Sequence, residues 1–206
     1  MRHLSRLFLC LAATAALLLT SCGTMMSTAS SRNYRVIAHK PHDPSKVEVR
    51  LSLATQNLFV VEPDKEGDRL LMAVQGNVGK PGAATPTGNF TIYNKEKHRR
   101  RQSEPDRGYP MAYWCEFAPA YGFHQGFVHP TPRTHGCIRL HGEAAPKFYA
   151  LVRVGTPVSI AETQPEDASL GPKVQRVDDS RAADPDPHIM VSSAAFQKPS
   201  GPLLVE

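Results

Sequence analysis

Short apolar runs separated by turn-forming residues are the feature that most constrains the fold of this 206-residue chain. Residues 47–53 alternate between apolar and polar side chains, which is the period-two pattern of a half-buried strand. Further apolar runs predict strands at 57–61, 70–75, 89–93, 111–117, 121–124 and 155–160. Such a pattern is typical of a mostly-β fold, either a β-sandwich or an open barrel.

Helical periodicity is convincing in one stretch only. Between Glu143 and Val152 the apolar residues Ala144, Phe148 and Leu151 fall on one face, and Pro146 lies in the first turn, where proline is tolerated. The charged stretch 94–108 predicts a solvated loop instead. We therefore expect one or two short helices in an otherwise β domain.

The two ends of the chain differ in composition from its centre. Residues 1–21 combine two arginines, an apolar run and no acid, which predicts a secretory signal peptide. They end at Leu19-Thr20-Ser21-Cys22, which resembles a bacterial lipobox with Cys22 as the lipid-bearing residue; an ordinary signal cleaved near Ser21 is the alternative. Residues 22–45 then predict a lipidated tether, 46–161 a folded domain, and 162–206, rich in prolines and acids, a disordered tail.

Export limits the partners of this chain. The net charge of +5 favours anionic wall polymers or lipid headgroups, whereas an exported lipoprotein rarely meets nucleic acid. We expect localisation to the bacterial cell envelope, with a membrane contact through the N-terminal lipid and the leaflet left open.

A cysteine in a tight polar turn is the candidate for chemistry. Cys137 follows Gly136 and precedes Arg139, and His124 lies upstream in the same segment. A thiol reacts as the thiolate, which a nearby imidazole and cationic surroundings favour. Glycine at 136 allows the chain to turn tightly and a substrate to approach the sulfur. We therefore expect Cys137 to be a nucleophile and His124 to be its proton donor and acceptor.

These residues resemble the signature of the YkuD-type L,D-transpeptidases, which remodel bacterial peptidoglycan. The similarity comprises His124, then Thr-His-Gly-Cys-Ile-Arg at 134–139, together with Thr-Pro-Thr-Gly-Asn-Phe at 85–90 and Met-Ala-Tyr-Trp at 111–114. It covers residues 47–160 in the family's order, and Gln125 stands where the family usually has glycine or alanine. The resemblance implies a β-sandwich and acyl transfer from a stem peptide to an amine.

The same resemblance suggests supporting roles. It assigns Thr134, His135 and Gly136 to the turn and the oxyanion site. Arg139 would pair with a stem-peptide carboxylate, although an ion pair within the turn is an equal alternative. Tyr113 and Trp114 would line the donor groove or else pack in the core. No cofactor is expected.

Other interpretations use the same residues. A Cys115–Cys137 disulfide would make Cys137 a structural residue. The density of histidines near Cys137 also suggests a zinc site, but these histidines lack the paired spacing that zinc ligands usually have, so no metal is expected. The function itself has two alternatives: an L,D-carboxypeptidase, in which water replaces the amine, and a non-catalytic wall-binding lipoprotein.

Overall fold

The computed structural model describes residues 28–29, 33–106, 108–196, 199 and 201–206. The predicted signal peptide, Cys22 and the first part of the predicted tether lie outside these residues, apart from 28–29. No helix within the described part of the chain is long and apolar enough to cross a bilayer.

The fold is mostly β, as predicted. A sheet of nine strands has the order β5-β10-β2-β3-β4-β9-β8-β7-β6, and β1 pairs with β11 in a separate parallel ribbon. The strands are β1 (Thr28–Ala29), β2 (Glu48–Ser52), β3 (Asn57–Glu62), β4 (Arg69–Asn77), β5 (Gly88–Thr91), β6 (Asn94–Arg100), β7 (Pro110–Ala118), β8 (Tyr121–Gln125), β9 (Ile138–Leu140), β10 (Pro157–Ala161) and β11 (Arg176–Val177).

The sheet curls around a large apolar core, and a smaller apolar cluster forms around Phe59, Val61 and Val174. Every residue of β3 is buried, because this strand is covered on both faces. Helix α1 (Ala145–Leu151) covers β7 and β8, where Phe148 packs 4.7 Å from the ring of Phe123. Most strands are antiparallel, but β10 runs parallel to β2 and β9 runs parallel to β8. The second of these parallel pairs positions the candidate site.

Strand β6 differs from the sequence expectation of a loop. Residues 94–100 pair antiparallel with β7 at the edge of the sheet, and most of their side chains are at least partly exposed. An edge strand has one unpaired side and needs no alternation of apolar and polar residues. The polar sequence of β6 therefore does not identify it as a strand. Lys95 ties β6 to the end of α1 by donating to the carbonyl oxygens of Tyr149 (2.7 Å) and Val152 (2.6 Å).

The segment assigned to a tether also packs on the domain where it is described. Tyr34 and Ala38 are each 1% exposed, and the Tyr34 ring meets His141 edge-on at 4.9 Å. Apolar residues spaced by two in 34–38 join the main apolar core of the domain. The Ser, Thr and Pro content of the whole segment masks this pattern.

The expectation of a disordered tail also differs from the structure. Beyond the domain, residues 162–196 include α2 (Glu166–Ser169), a short 3-10 helix at 171–173, β11, α3 (Pro187–Met190) and a second 3-10 helix at 193–195. Specific polar contacts anchor this segment. Asp167 accepts from Thr55 (2.7 Å), and Arg176 donates to Asn57 (2.6 Å). Composition describes the average polarity of a segment but not such individual partners.

Candidate active site

The pairing of β8 with β9 brings the predicted site residues together. His124 lies opposite Arg139 in the parallel register, and Cys137 comes immediately before β9. His124 is 4% exposed and Cys137 is half-buried. Both line a cavity of about 880 Å³, together with Trp114, Thr134, His135 and Arg139.

The hydrogen bond of His124 indicates its tautomer. Nδ1 lies 2.8 Å from the carbonyl oxygen of Gln125, which can only accept, so Nδ1 carries the hydrogen and Nε2 keeps its lone pair. Burial lowers the pKa of His124 to about 4, and the charge of Arg139 acts in the same direction, while the bond to Gln125 opposes both. The imidazole is therefore neutral near pH 7 and able to accept a proton.

Cys137 is a neutral thiol when His124 is a neutral imidazole. Its Sγ–H points to the carbonyl oxygen of Ala120 at 3.6 Å. Burial raises the pKa of Cys137, and the cations Arg139 and Arg99 and a backbone N–H at Gly122 only partly offset this effect. A neutral thiol and a neutral imidazole thus share one cavity.

The turn before Cys137 requires glycine. Gly136 has φ +111°, and a Cβ at this position would lie 2.3 Å from Cε1 of Tyr121. Thr134 closes the turn, because its Oγ1 accepts from the N–H of Gly136 (3.1 Å) and donates to the carbonyl of Cys137 (2.6 Å). The predicted supporting role of Thr134 and Gly136 is thus consistent with the geometry of the turn.

A residue from another part of the chain holds the same turn. Thr85, in the loop between β4 and β5, donates from Oγ1 to the carbonyl of Gly136 (2.9 Å) and accepts from the N–H of Gly79 (3.0 Å). The sequence identifies Thr85 as part of a family motif but does not predict a role for its side chain. The Thr-Pro-Thr-Gly pattern marks Thr85 in the sequence. The partner of its hydroxyl group, the carbonyl of Gly136, is distant in the chain and is identified only by the tertiary structure.

The adjacent aromatic residues Tyr113 and Trp114 of β7 lie on opposite faces of the sheet, because successive side chains of a strand alternate between its faces. Trp114 lines the cavity, with its ring centroid 6.0 Å from that of His124, and its Nε1–H donates to Glu116 (3.2 Å). Tyr113 instead is 5% exposed and packs against Tyr149 with ring centroids 5.7 Å apart. The expected substrate contact of Tyr113 is therefore not supported, and the core-packing alternative describes it.

The cavity has a cationic side. Arg139 lines it and has no ion-pair or hydrogen-bond partner among the described residues, so the structure gives no support to the alternative of an ion pair within the turn. Arg99, which sequence reasoning placed in a loop, also lines the cavity and stacks over Trp114 at 4.4 Å. His135 is exposed at the lining. The guanidinium group of Arg139 presents positive charge and hydrogen-bond donors to a ligand, whereas ion pairs with Glu96 and Glu116 partly neutralise Arg99.

The second cysteine of the folded domain is remote from this chemistry. Cys115 is 0% exposed, both it and Cys137 are free thiols, and burial raises the pKa of Cys115 to about 12. The structure therefore does not contain the alternative Cys115–Cys137 disulfide. Among the described residues, no group of three or more His, Cys, Asp or Glu side chains is arranged to hold a metal ion.

A curled mostly-β sheet with a cysteine and a neutral histidine in one cavity defines the class of protein. Residues 46–160 match the YkuD family of L,D-transpeptidase catalytic domains. Because the match covers more than half of the chain, the protein belongs to this family, and the resemblance seen in the sequence is confirmed.

Relatives agree with this assignment. A curated protein named for L,D-transpeptidase YkuD, from Bacillus licheniformis, is 32% identical over 123 residues, which cover 57% of this chain and 66% of the relative. An L,D-transpeptidase structure from Stackebrandtia nassauensis aligns with a TM-score of 0.50 at 23% identity, over 62% of this chain and 60% of that one. One from Xylanimonas cellulosilytica gives 0.50 at 22%, over 59% and 63%. The structures show a shared fold, and this chain spans less than two thirds of each relative.

Proposed function

We propose that this protein is a peptidoglycan L,D-transpeptidase in which Cys137 is the nucleophile and His124 moves the proton. Family membership supports the reaction class. One observation carries the assignment of roles: the Nδ1–H of His124 is bound to Gln125, which leaves Nε2 as a proton acceptor in the cavity that contains Cys137.

The first half-reaction forms an acyl-enzyme. Sγ of Cys137 attacks the carbonyl carbon of a stem peptide while its proton passes to Nε2 of His124. The backbone N–H of Cys137 is the proposed oxyanion donor, because the N–H of Gly136 already donates to Oγ1 of Thr134. The intermediate collapses, the carbon–nitrogen bond breaks, and the leaving amine takes the proton from His124.

The second half-reaction releases the acyl group. An acceptor amine attacks the thioester, a new amide bond forms, the carbon–sulfur bond breaks, and the proton lost by the amine returns through His124 to Sγ. If water attacks instead, the same site performs the carboxypeptidase reaction. Both outcomes use the same thioester, so the acceptor side of the cavity determines the ratio between them.

Substrate binding is assigned to the cavity wall. Arg139 is unpaired among the described residues and suits a bidentate contact with a stem-peptide carboxylate. Trp114 supplies a flat apolar surface on the same wall. Thr134 supports the turn that presents the sulfur, and His135 lines the cavity beside it.

Incubation with a tetrapeptide muropeptide tests the function. We expect mass spectrometry to detect a thioester on Cys137 and then a cross-linked product with an amine acceptor. A shortened stem without any cross-linked product would favour the carboxypeptidase, because only hydrolysis would have occurred. No thioester and no product from a folded protein would favour the non-catalytic wall-binding alternative.

We also propose that Cys22 carries a lipid that holds the protein at a bacterial membrane. The lipobox-like sequence before Cys22 supports this assignment. Two acyl chains give stable anchoring, whereas one is marginal. Cys22→Ser is expected to move the protein from the membrane fraction to the soluble envelope fraction with unchanged transfer activity. Wild-type protein that is soluble, with an unmodified Cys22, would contradict the anchor.

A further inference from the structure

The carboxyl-terminal segment 179–196 forms part of the wall of the catalytic cavity. Asp184, Pro185, Pro187, Met190 and Val191 all line the cavity that contains Cys137. This segment follows the family domain, which matches residues 46–160. The chain thus adds a wall to the site from outside the matched residues.

Both ends of the segment are fixed to the domain. At its start, Asp179 and Val128 exchange two hydrogen bonds of 2.9 Å, one through the carboxylate and one through the Asp179 N–H. Near its end, Arg100 donates to the carbonyl oxygens of Met190 (2.7 Å) and Ser192 (2.8 Å). The intervening residues are therefore held across the cavity.

Charge is divided between the two sides of this cavity. The domain side contributes the guanidinium groups of Arg99, Arg101 and Arg139. Ion pairs with Glu96 (3.2 Å) and Glu116 (3.7 Å) partly neutralise Arg99, so Arg101 and Arg139 carry most of the positive charge on this side. Asp184 is the one acid among the described residues of the lining, and none of them forms an ion pair or hydrogen bond with its carboxylate. Asp186, in contrast, is occupied as the cap of α3, where it accepts from the N–H of His188 (2.8 Å).

We propose that Asp184 binds the ammonium group of the acyl acceptor, so that the carboxyl-terminal segment forms the acceptor subsite. The inference rests on the proposed transpeptidase function and adds the residue and the segment that would hold the acceptor amine. A donor that carries carboxylates is matched by the arginine side, whereas an ammonium is repelled there and attracted to the opposite carboxylate.

Asp184 acts by positioning and not by proton transfer to the thioester. The bound ammonium releases one proton to solvent, and the free amine then attacks the thioester carbon. The carbon–nitrogen bond forms, the carbon–sulfur bond breaks, and the second proton of the amine returns through Nε2 of His124 to Sγ. Holding the amine near the thioester favours transfer over hydrolysis.

The test measures the two half-reactions separately in the full-length protein. Asp184→Asn is expected to leave the rate of thioester formation from a tetrapeptide donor unchanged. It is expected to raise the KM for a stem peptide with a free side-chain amine by about tenfold, the usual worth of a hydrogen bond to a charged group. The fraction of hydrolysed donor should rise accordingly.

Three comparisons separate a specific role from a structural one. Hydroxylamine, which is uncharged at neutral pH, should react equally with wild type and Asp184→Asn, and Asp184→Glu should restore part of the amine affinity. Asp178→Asn, which removes the same charge from a residue outside the cavity, should behave as wild type.

Two results would overturn the inference: an unchanged amine KM in Asp184→Asn, or an equal loss with amine and hydroxylamine. A wild-type protein that forms no thioester would instead refute the proposed function, and the acceptor subsite with it.

Discussion

Replacing Cys137 with alanine is expected to abolish thioester formation and reduce transfer by about 10⁴-fold or more, because Cys137 is the only thiol among the described residues that line the cavity. The fold should persist. Cys137 is half-buried, its Sγ makes only polar contacts with the backbone of Ala120 and Gly122, and alanine keeps the Cβ of the turn. Intact-mass spectrometry with a carbapenem, whose strained amide acylates thiolates, would measure the loss of the adduct, and thermal unfolding would verify folding.

Cys115→Ala is the matched control. This thiol is 0% exposed, and burial raises its pKa to about 12, so it cannot supply a thiolate near pH 7. We expect normal activity and a moderate loss of stability from the lost packing volume. An adduct mapped to Cys115, or loss of activity in a folded Cys115→Ala protein, would show that Cys137 is not the nucleophile.

Removal of the imidazole has the second largest expected effect. His124→Ala should slow thioester formation by about 100-fold or more, the usual contribution of a positioned general base. His135→Ala is the comparison, because His135 is exposed and has no hydrogen bond among the described residues. We expect a smaller loss from it. A nearly wild-type His124→Ala beside an inactive His135→Ala would reverse the assignment.

The lowered pKa of His124 should also make the stability of the folded protein depend on pH. Its pKa is lowered from 6.5 to about 4 in the folded state, so between these values the unfolded chain binds a proton that the folded protein does not. Stability should therefore fall as the pH decreases from 6.5 to 4, by up to about 3 kcal/mol from this group. Denaturant unfolding of wild type and His124→Gln over this range should show a shallower decline in the variant. Equal slopes would contradict the lowered pKa.

Elements with a regular hydrophobic pattern could be predicted from the sequence. The alternation at 47–53 corresponds to β2, and the apolar run at 57–61 to the fully buried β3. The helix was expected at 143–152 and spans Ala145–Leu151. Strand β9, with three residues, is too short to carry a period, and β6 carries none because it lies at an edge.

Site residues were predictable where one segment of sequence brings them together. Cys137 and His124 lie close in the chain, and a parallel strand pair completes their approach. Thr85, Arg99 and Asp184 come from distant segments, and only the tertiary structure places them at the same turn or cavity. The opposite orientations of Tyr113 and Trp114 depend on which face of β7 meets the core, and both residues are aromatic, so their chemistry could not distinguish them.

The neutral state of Cys137 has a consequence for durability. Peroxide and other oxidants attack thiolates far faster than thiols, and progressive oxidation to sulfinic acid is irreversible for most proteins. Because burial keeps the pKa of Cys137 raised, the resting sulfur offers oxidants little of its reactive form. The proposed envelope location would place the protein outside the reducing cytosol, where a proposed nucleophile that becomes anionic only during attack on substrate would be protected from such oxidation.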